Sequence, residues 1–259
     1  MARRTVTCLS EVGGTVKGAC SPAPIPASTV EITLPQRNDA WPRTVLAVVQ
    51  GADATVAPLT LVLIQDDPRS QYKVHYSISL QPGTVFPKVP PASIGTSRVG
   101  PDSPLVATKP AELAADYGDT LLLDAESAYY NLFQVEGDTL RVSVGKAAQE
   151  AKKAPIPSTA QLTFANAPGC GQTVVMVTND GGAIVAVQLT ETETIKSIET
   201  GAAVNAPTDV AALLGKNMST TGISATYSDQ LLFYVPKADT DGKIVLLGYS
   251  QGLISAAEV

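Results

Sequence analysis

The sequence predicts an α+β protein: an antiparallel meander, then helices packed on a curved antiparallel sheet. Three observations carry that expectation. Runs rich in β-branched residues and alternating apolar with polar residues lie toward both ends of the chain. One block between them repeats its apolar residues every three to four positions. Helical and strand-like segments are therefore segregated rather than interleaved, which argues against a doubly wound parallel sheet. Composition agrees, because 44% apolar and only 16% charged residues in a 259-residue chain suit a packed core and exclude disorder or a coiled coil.

Taken in order, residues 1–28 read as an irregular N-terminal arm, small and polar and closed by Ser21-Pro22-Ala23-Pro24-Ile25-Pro26. Residues 29–85 read as an antiparallel sheet unit with strands near 30–34, 44–50, 59–64 and 72–80. Gly51-Ala52-Asp53 and Asp66-Asp67-Pro68 supply turn chemistry between them. In the last strand Lys73, His75, Ser77 and Ser79 alternate with Tyr72, Val74, Tyr76, Ile78 and Leu80, the period of a half-buried strand. Trp41-Pro42-Arg43 opens the second strand and places the indole at the edge of the meander.

Residues 86–108 carry Pro87, Pro90, Pro91, Pro101 and Pro104 and read as a linker, since proline interrupts both regular ladders. Residues 109–259 then form a helix-plus-sheet unit. Thr108 or Lys109 caps a first helix with Pro110 in its first turn and Leu113, Tyr117 and Leu121 on one face. A short second helix holds Tyr129, Tyr130, Leu132 and Phe133. A third is capped by Asp138 and presents Leu140, Val144, Ala147 and Ala151 before Ala154-Pro155-Ile156-Pro157 ends it. Strands are expected at 160–164, 173–178, 183–190, 192–198, 223–235 and 243–249, with a last one near Leu253. Asn179-Asp180-Gly181-Gly182 and Asp239-Thr240-Asp241-Gly242 are hairpin turns. Residues 204–214 fit either a short helix or an irregular crossing. The apolar hairpins at 45–64 and 174–189 echo each other, as in a partial first cone-like unit followed by a complete one.

Charge and motifs remove several functions. Eighteen basic against 24 acidic residues give net −6, so nucleic acid and anionic membrane surfaces are not expected partners. No apolar run of about 18 residues exists to span a membrane. Residues 1–20 do not read as a secretory signal, because Ser10, Glu11, Gly13, Gly14 and Lys17 break the apolar stretch. Val16-Lys17-Gly18-Ala19-Cys20 has the small residues that precede a lipidated cysteine but lacks the apolar stretch. An exported protein with this sequence would have its leader or anchor outside the chain. Of three cysteines, Cys8 and Cys20 are close enough for a local disulfide, and Cys170 sits in a Pro168-Gly169-Cys170-Gly171 turn. No zinc spacing, calcium loop or phosphate-binding glycine motif is found, so no metal or other cofactor is expected.

Gly248-Tyr249-Ser250-Gln251-Gly252 resembles the nucleophile elbow of cutinases. An elbow needs a strand-to-helix turn, with an acid and a His later in the chain. Here nine residues follow Ser250 and the only histidine, His75, lies far upstream. The glycines therefore read as a bend or bulge between terminal strands, and His75, on the face of Lys73, Ser77 and Ser79, as a solvent-facing strand residue. Asp116, Asp119, Asp124 and Glu126 read as solvated caps around the helices, and Asp66 and Asp67 as turn residues.

Tyr117, Tyr129, Tyr130 and Phe133 gather in the helical block, and Tyr227, Phe233, Tyr234 and Tyr249 in the final strands. They read as a helix-on-sheet core or as an apolar pocket oriented by phenols. The pocket reading takes Tyr117, Tyr130, Phe133, Tyr227, Asp229 and Phe233 as its lining, with no catalytic residue assigned.

The order of elements in 109–259 resembles the nuclear transport factor two-like, cystatin-like cone, in which helices cross a bent sheet. Trp41-Pro42-Arg43, Ser79-Leu80-Gln81-Pro82-Gly83, Pro110-Ala111-Glu112-Leu113-Ala114-Ala115-Asp116-Tyr117, Asp229-Gln230-Leu231-Leu232-Phe233-Tyr234-Val235-Pro236 and the stretch 243–255 resemble an actinobacterial family of cell-envelope proteins of unknown function, often lipoproteins. The resemblance implies an exported, extracytoplasmic domain and carries no catalytic residue. The expectation is a non-enzymatic protein, monomeric or dimeric, that binds an envelope partner or a small apolar ligand. The rival is a small isomerase or hydratase that pairs Asp229 or Asp116 with Tyr227 or Tyr117.

Overall fold

Apolar residues at every second position pair into strands, and here those strands join one antiparallel sheet. The computed structural model describes residues 6–7, 19–20, 25, 27–36, 40–53, 55–97 and 99–259. A two-residue pairing of β1 (Val6–Thr7) with β2 (Ala19–Cys20) comes first. Then β3 (Thr29–Thr33), β4 (Arg43–Gln50), β5 (Leu59–Gln65) and β6 (Lys73–Leu80) run as the expected meander. Three helices follow, α1 (Leu113–Leu123), α2 (Thr139–Val144) and α3 (Lys146–Lys153). The chain continues through β7 (Ala160–Pro168), β8 (Val174–Val177), β9 (Ala183–Ser197), β10 (Val204–Asn205), α4 (Thr208–Leu214), β11 (Met218–Ser219), β12 (Gly222–Val235) and β13 (Val245–Glu258). The main sheet has the order β3-β4-β5-β6-β13-β12-β9-β7, with β8 also paired to β9.

The meander and the C-terminal strands thus share a sheet, and their seam is short. Leu80 pairs with Gly248 and Ser79 with Tyr249. Gly248 has a packing reason to be glycine, since a Cβ there would overlap the Ser79 carbonyl and Leu80 Cα. Side chains extend the seam: Gln81 donates to the Leu246 carbonyl at 2.5 Å, and the Ser77 amide donates to Gln230 Oε1 at 2.7 Å. Residues 86–108 lie along both parts. Phe86 and Val89 pack on the core beneath β4, and fully buried Thr96 pairs with the chain at Pro35 and donates its hydroxyl to the Val177 carbonyl.

Several boundaries differ from expectation. The runs at 183–190 and 192–198 are one strand, because Thr190-Glu191-Thr192-Glu193 keeps the period of two and takes up the ladder with β12. The final segment is likewise one strand, whose register to β12 shifts between Leu246 and Gly248 and again between Leu253 and Ser255. The expected second helix is a single 3-10 turn over Tyr130–Leu132. The expected third helix is two, divided at Gly145, whose backbone turns extended. Asp138 does cap α2, accepting the Arg141 N–H at 2.9 Å. Residues 204–214 hold both a short strand and a helix.

Alternation along β9 and β12 gives the sheet two apolar faces. Val185, Val187, Leu189, Leu231, Phe233 and Val235 meet Leu113, Tyr117 and Leu121 of α1, with Phe133 and Leu140. On the other face Ile184, Ala186 and Leu232 meet Met176, Tyr76, Ile78, Val62 and Leu46. Each large side chain fully withdrawn from water contributes about 1.5–3 kcal/mol. Farther along the helix-bearing face, α4 covers Ile223 and Ala225 with Val210. Among the described residues no helix is long and apolar enough to cross a membrane.

Candidate functional site

The six residues expected to line a pocket separate into two groups and an outlier. Tyr117 and Phe233 are fully buried and Phe133 nearly so. Their rings fill the space between α1 and the sheet, with centroids 5.0 Å apart for Tyr117–Phe233, 5.2 Å for Tyr117–Phe133 and 6.1 Å for Phe133–Phe233. These are the tilted and edge-on geometries that aromatic cores favour. The Tyr117 hydroxyl donates to the Asp138 carboxylate at 2.9–3.0 Å. Asp138 thus ties α1 to α2 while also capping α2. Tyr130 stands apart, half-buried in its turn, with the Arg141 guanidinium 5.3 Å from its ring centre. A cavity of about 430 Å³ near the start of α1, lined by Val99, Pro101, Ala111, Gly169, Gly171 and Gln188 among others, involves none of the six.

Tyr227 and Asp229 lie farther down β12, between the ground covered by α1 and that covered by α4. Tyr227 is paired with Glu191 across the β9 ladder, and Asp229 with Leu189. Counting by twos from core residues Leu231 and Leu189 puts Asp229 and Glu191 on the helix-bearing face, diagonal to each other. Gln251 of β13, opposite Asp229, donates its amide to Glu191 Oε2 at 2.6 Å. Asp229 is wholly buried and Glu191 only 7% exposed.

Two carboxylates in such surroundings do not both ionise at neutral pH. Burial holds the Glu191 carboxyl well above its ordinary range, and the negative charge of Asp229 raises it further. Burial also raises Asp229, opposed by hydrogen bonding from Glu191 and Gln251. Neither Asp229 oxygen has a hydrogen-bond partner within normal geometry among the described residues, so a buried charge there would go uncompensated. Both carboxyls are held toward their protonated forms, and the two lie on neighbouring strands. Tyr227 is pushed up to about 12 by burial, then by the charges of Glu193, Asp209 and Glu191, so it remains a phenol and a donor at neutral pH. Chemically the cluster can retain or exchange a proton next to a hydroxyl.

Glu191 is the residue that sequence reading missed. Its signal was present, because Val185, Val187 and Leu189 already fix the inward face of its strand and Glu191 follows in step.

The remaining candidates fall as follows. Gly248-Tyr249-Ser250-Gln251-Gly252 lies inside β13, with no strand-to-helix turn, and Ser250 Oγ accepts the Ser79 N–H at 3.1 Å. His75 is exposed, as its strand position suggested, and its Nε2 accepts the Gln172 N–H at 3.1 Å. Burial lowers its pKa, with a smaller opposing effect from Asp66. Asp116 accepts from Thr108 at 3.0 Å, Asp119 from Ser127 at 2.6 Å, and Glu126 pairs with Lys146 at 3.0 Å, all local ties around α1. Cys170 is an exposed free thiol. Of the expected Cys8–Cys20 pair, Cys8 lies outside the described residues.

No curated protein and no solved structure matches this chain. A family model, described as a domain of unknown function (DUF8094), matches residues 14–258, and the chain belongs to that family.

Proposed function

We propose, with that membership as premise, that this chain is a non-enzymatic, extracytoplasmic domain of the cell envelope that binds another envelope protein. The observation that carries the reading is the filled aromatic face: Tyr117, Phe133 and Phe233 occupy one another's space and leave no gap there for an apolar ligand. With that face filled, we place recognition on the outer surface. The resemblance of short motifs to actinobacterial envelope lipoproteins supports the location, and three helices over one face of an antiparallel sheet support a cone of the nuclear transport factor two type. The test is in-cell cross-linking in an actinobacterial host carrying the gene with its own leader, followed by reciprocal capture from the partner's side. One envelope protein recovered in both directions is the expected result. Cytoplasmic retention, or no reciprocal partner, contradicts the reading.

A second reading rests on the Glu191–Asp229 pair beside Tyr227, which has the raised carboxyl and adjacent phenol of a proton-transfer site. It predicts turnover of an isomerase or hydratase substrate that Asp229→Asn abolishes. Full turnover in that variant would remove it.

A further inference from the structure

We propose that β3 is a docking edge, completed by a short extended segment of a protein partner that carries a basic residue opposite Glu31. The proposal deepens the binding-module reading and rests on it for the class of partner.

The argument begins with the backbone. β3 ends the sheet and, among the described residues, pairs only with β4. Just beyond it, the Leu34 carbonyl accepts the Thr96 N–H at 2.7 Å and the Gln36 N–H donates to the Thr96 carbonyl at 2.8 Å. Those groups point away from β4. Because hydrogen-bonding direction alternates along a strand, Ile32 and Val30 turn their N–H and C=O groups the same way. The sheet edge is thus already extended at Thr96 and stops being paired where β3 begins.

Edges left open in this manner are usually blunted by proline, lysine or a bulge. β3 has no proline, lysine or bulge and a single charge, Glu31, and four of its five residues are exposed, including Val30 at 47% and Ile32 at 50%. The opposite edge is treated differently, since the Lys152 and Lys153 ammonium groups of α3 lie 5.7 Å from the Phe164 ring of β7. Val30 and Ile32 continue the apolar face of Val49 and Ala47, their partners on β4. An added strand gains main-chain hydrogen bonds and covers both side chains at once.

Charge selects the occupant. Glu31 is the only charged residue of β3, is exposed, and forms no ion pair among the described residues. A symmetric pairing of two copies that overlaps the whole of β3 would set Glu31 against Glu31 in a protein of net charge −6. A segment with Lys or Arg at that position, flanked by β-branched residues, pairs without that repulsion.

The probe is a capped synthetic peptide, Ser-Thr-Val-Lys-Val-Thr-Ser, added to the full chain while amide exchange is followed at Val30 and Ile32. Expected is about tenfold slower exchange at both amides, weakened about tenfold when the peptide lysine becomes glutamate, with the preference inverted in Glu31→Lys. Val30→Pro removes an outward N–H that β4 does not use and should abolish protection at Ile32 while the thermal unfolding transition stays cooperative. Peptide binding without protection at these amides, or indifference to the charge swap, overturns the proposal. So does protection that appears without peptide and grows with protein concentration, which would mark a second copy as the occupant. If β3 stays unprotected while a reciprocal envelope partner is still captured, this edge is excluded and the binding-module reading stands.

Discussion

Asp229 and Glu191 sit where strand alternation calls for leucine, and the cost of that placement depends on pH. Unfolded, both titrate near about 4. Folded, burial raises both, so the native chain binds more protons than the unfolded chain and stability falls as pH rises. The loss runs from the ordinary carboxylate range to about 8, where Glu191 gives up its proton. Urea unfolding across that range should show stability declining by up to ~1.4 kcal/mol per pH unit for each carboxyl that is protonated only in the folded chain. Asp229→Asn, whose amide can donate to Glu191, should flatten the slope; an unchanged slope would mean that Asp229 takes no part in it. Tyr117→Phe should cost about 1–3 kcal/mol in urea unfolding at neutral pH by removing a donor from buried Asp138. Tyr227 and Asp229 were legible in the sequence because both lie in one strongly patterned strand. Glu191 was hidden because its partner lies on another strand, and the register that joins them is decided by pairing across the whole sheet.

Among elements, those with an unbroken period were read well. Leu113, Tyr117 and Leu121 marked the buried side of α1, and Asp138 marked the start of α2. What failed was continuity. Thr190-Glu191-Thr192-Glu193 looked polar enough to end a strand, yet its threonines and glutamates alternate as a ladder needs and β12 pairs with every residue of it. Gly145, by contrast, ends α2 where side-chain spacing alone ran on to Ala151. Of the aromatic residues the sequence grouped, Tyr117, Phe133 and Phe233 come together and Tyr129, Tyr130 and Tyr227 do not, and spacing does not say whether rings line a space or fill it. Phe233→Ala should separate those cases: loss of about 3–5 kcal/mol in thermal or urea unfolding is expected of a ring removed from a packed core. A loss near zero would indicate that the ring borders open space.

At the scale of the molecule, long-range pairing had no local signature. The sequence suggested a meander at 29–85 and a second unit at 109–259, and the structure joins them through β6 and β13 in one sheet. The family match over residues 14–258 spans both parts. The seam depends on a glycine, so Gly248→Val should lower the unfolding midpoint and open the β5–β6 hairpin to limited proteolysis before the helices are cut. Simultaneous cleavage of both parts, at wild-type rate, would show that the seam tolerates a side chain.

The claim on which the rest depends is that the helix-bearing face is a packed core and that recognition takes place on the surface. Native against denaturing mass spectrometry on the purified full chain tests it most directly. The account predicts the same polypeptide mass in both conditions, with no small molecule released. A discrete small mass lost on denaturation would contradict it.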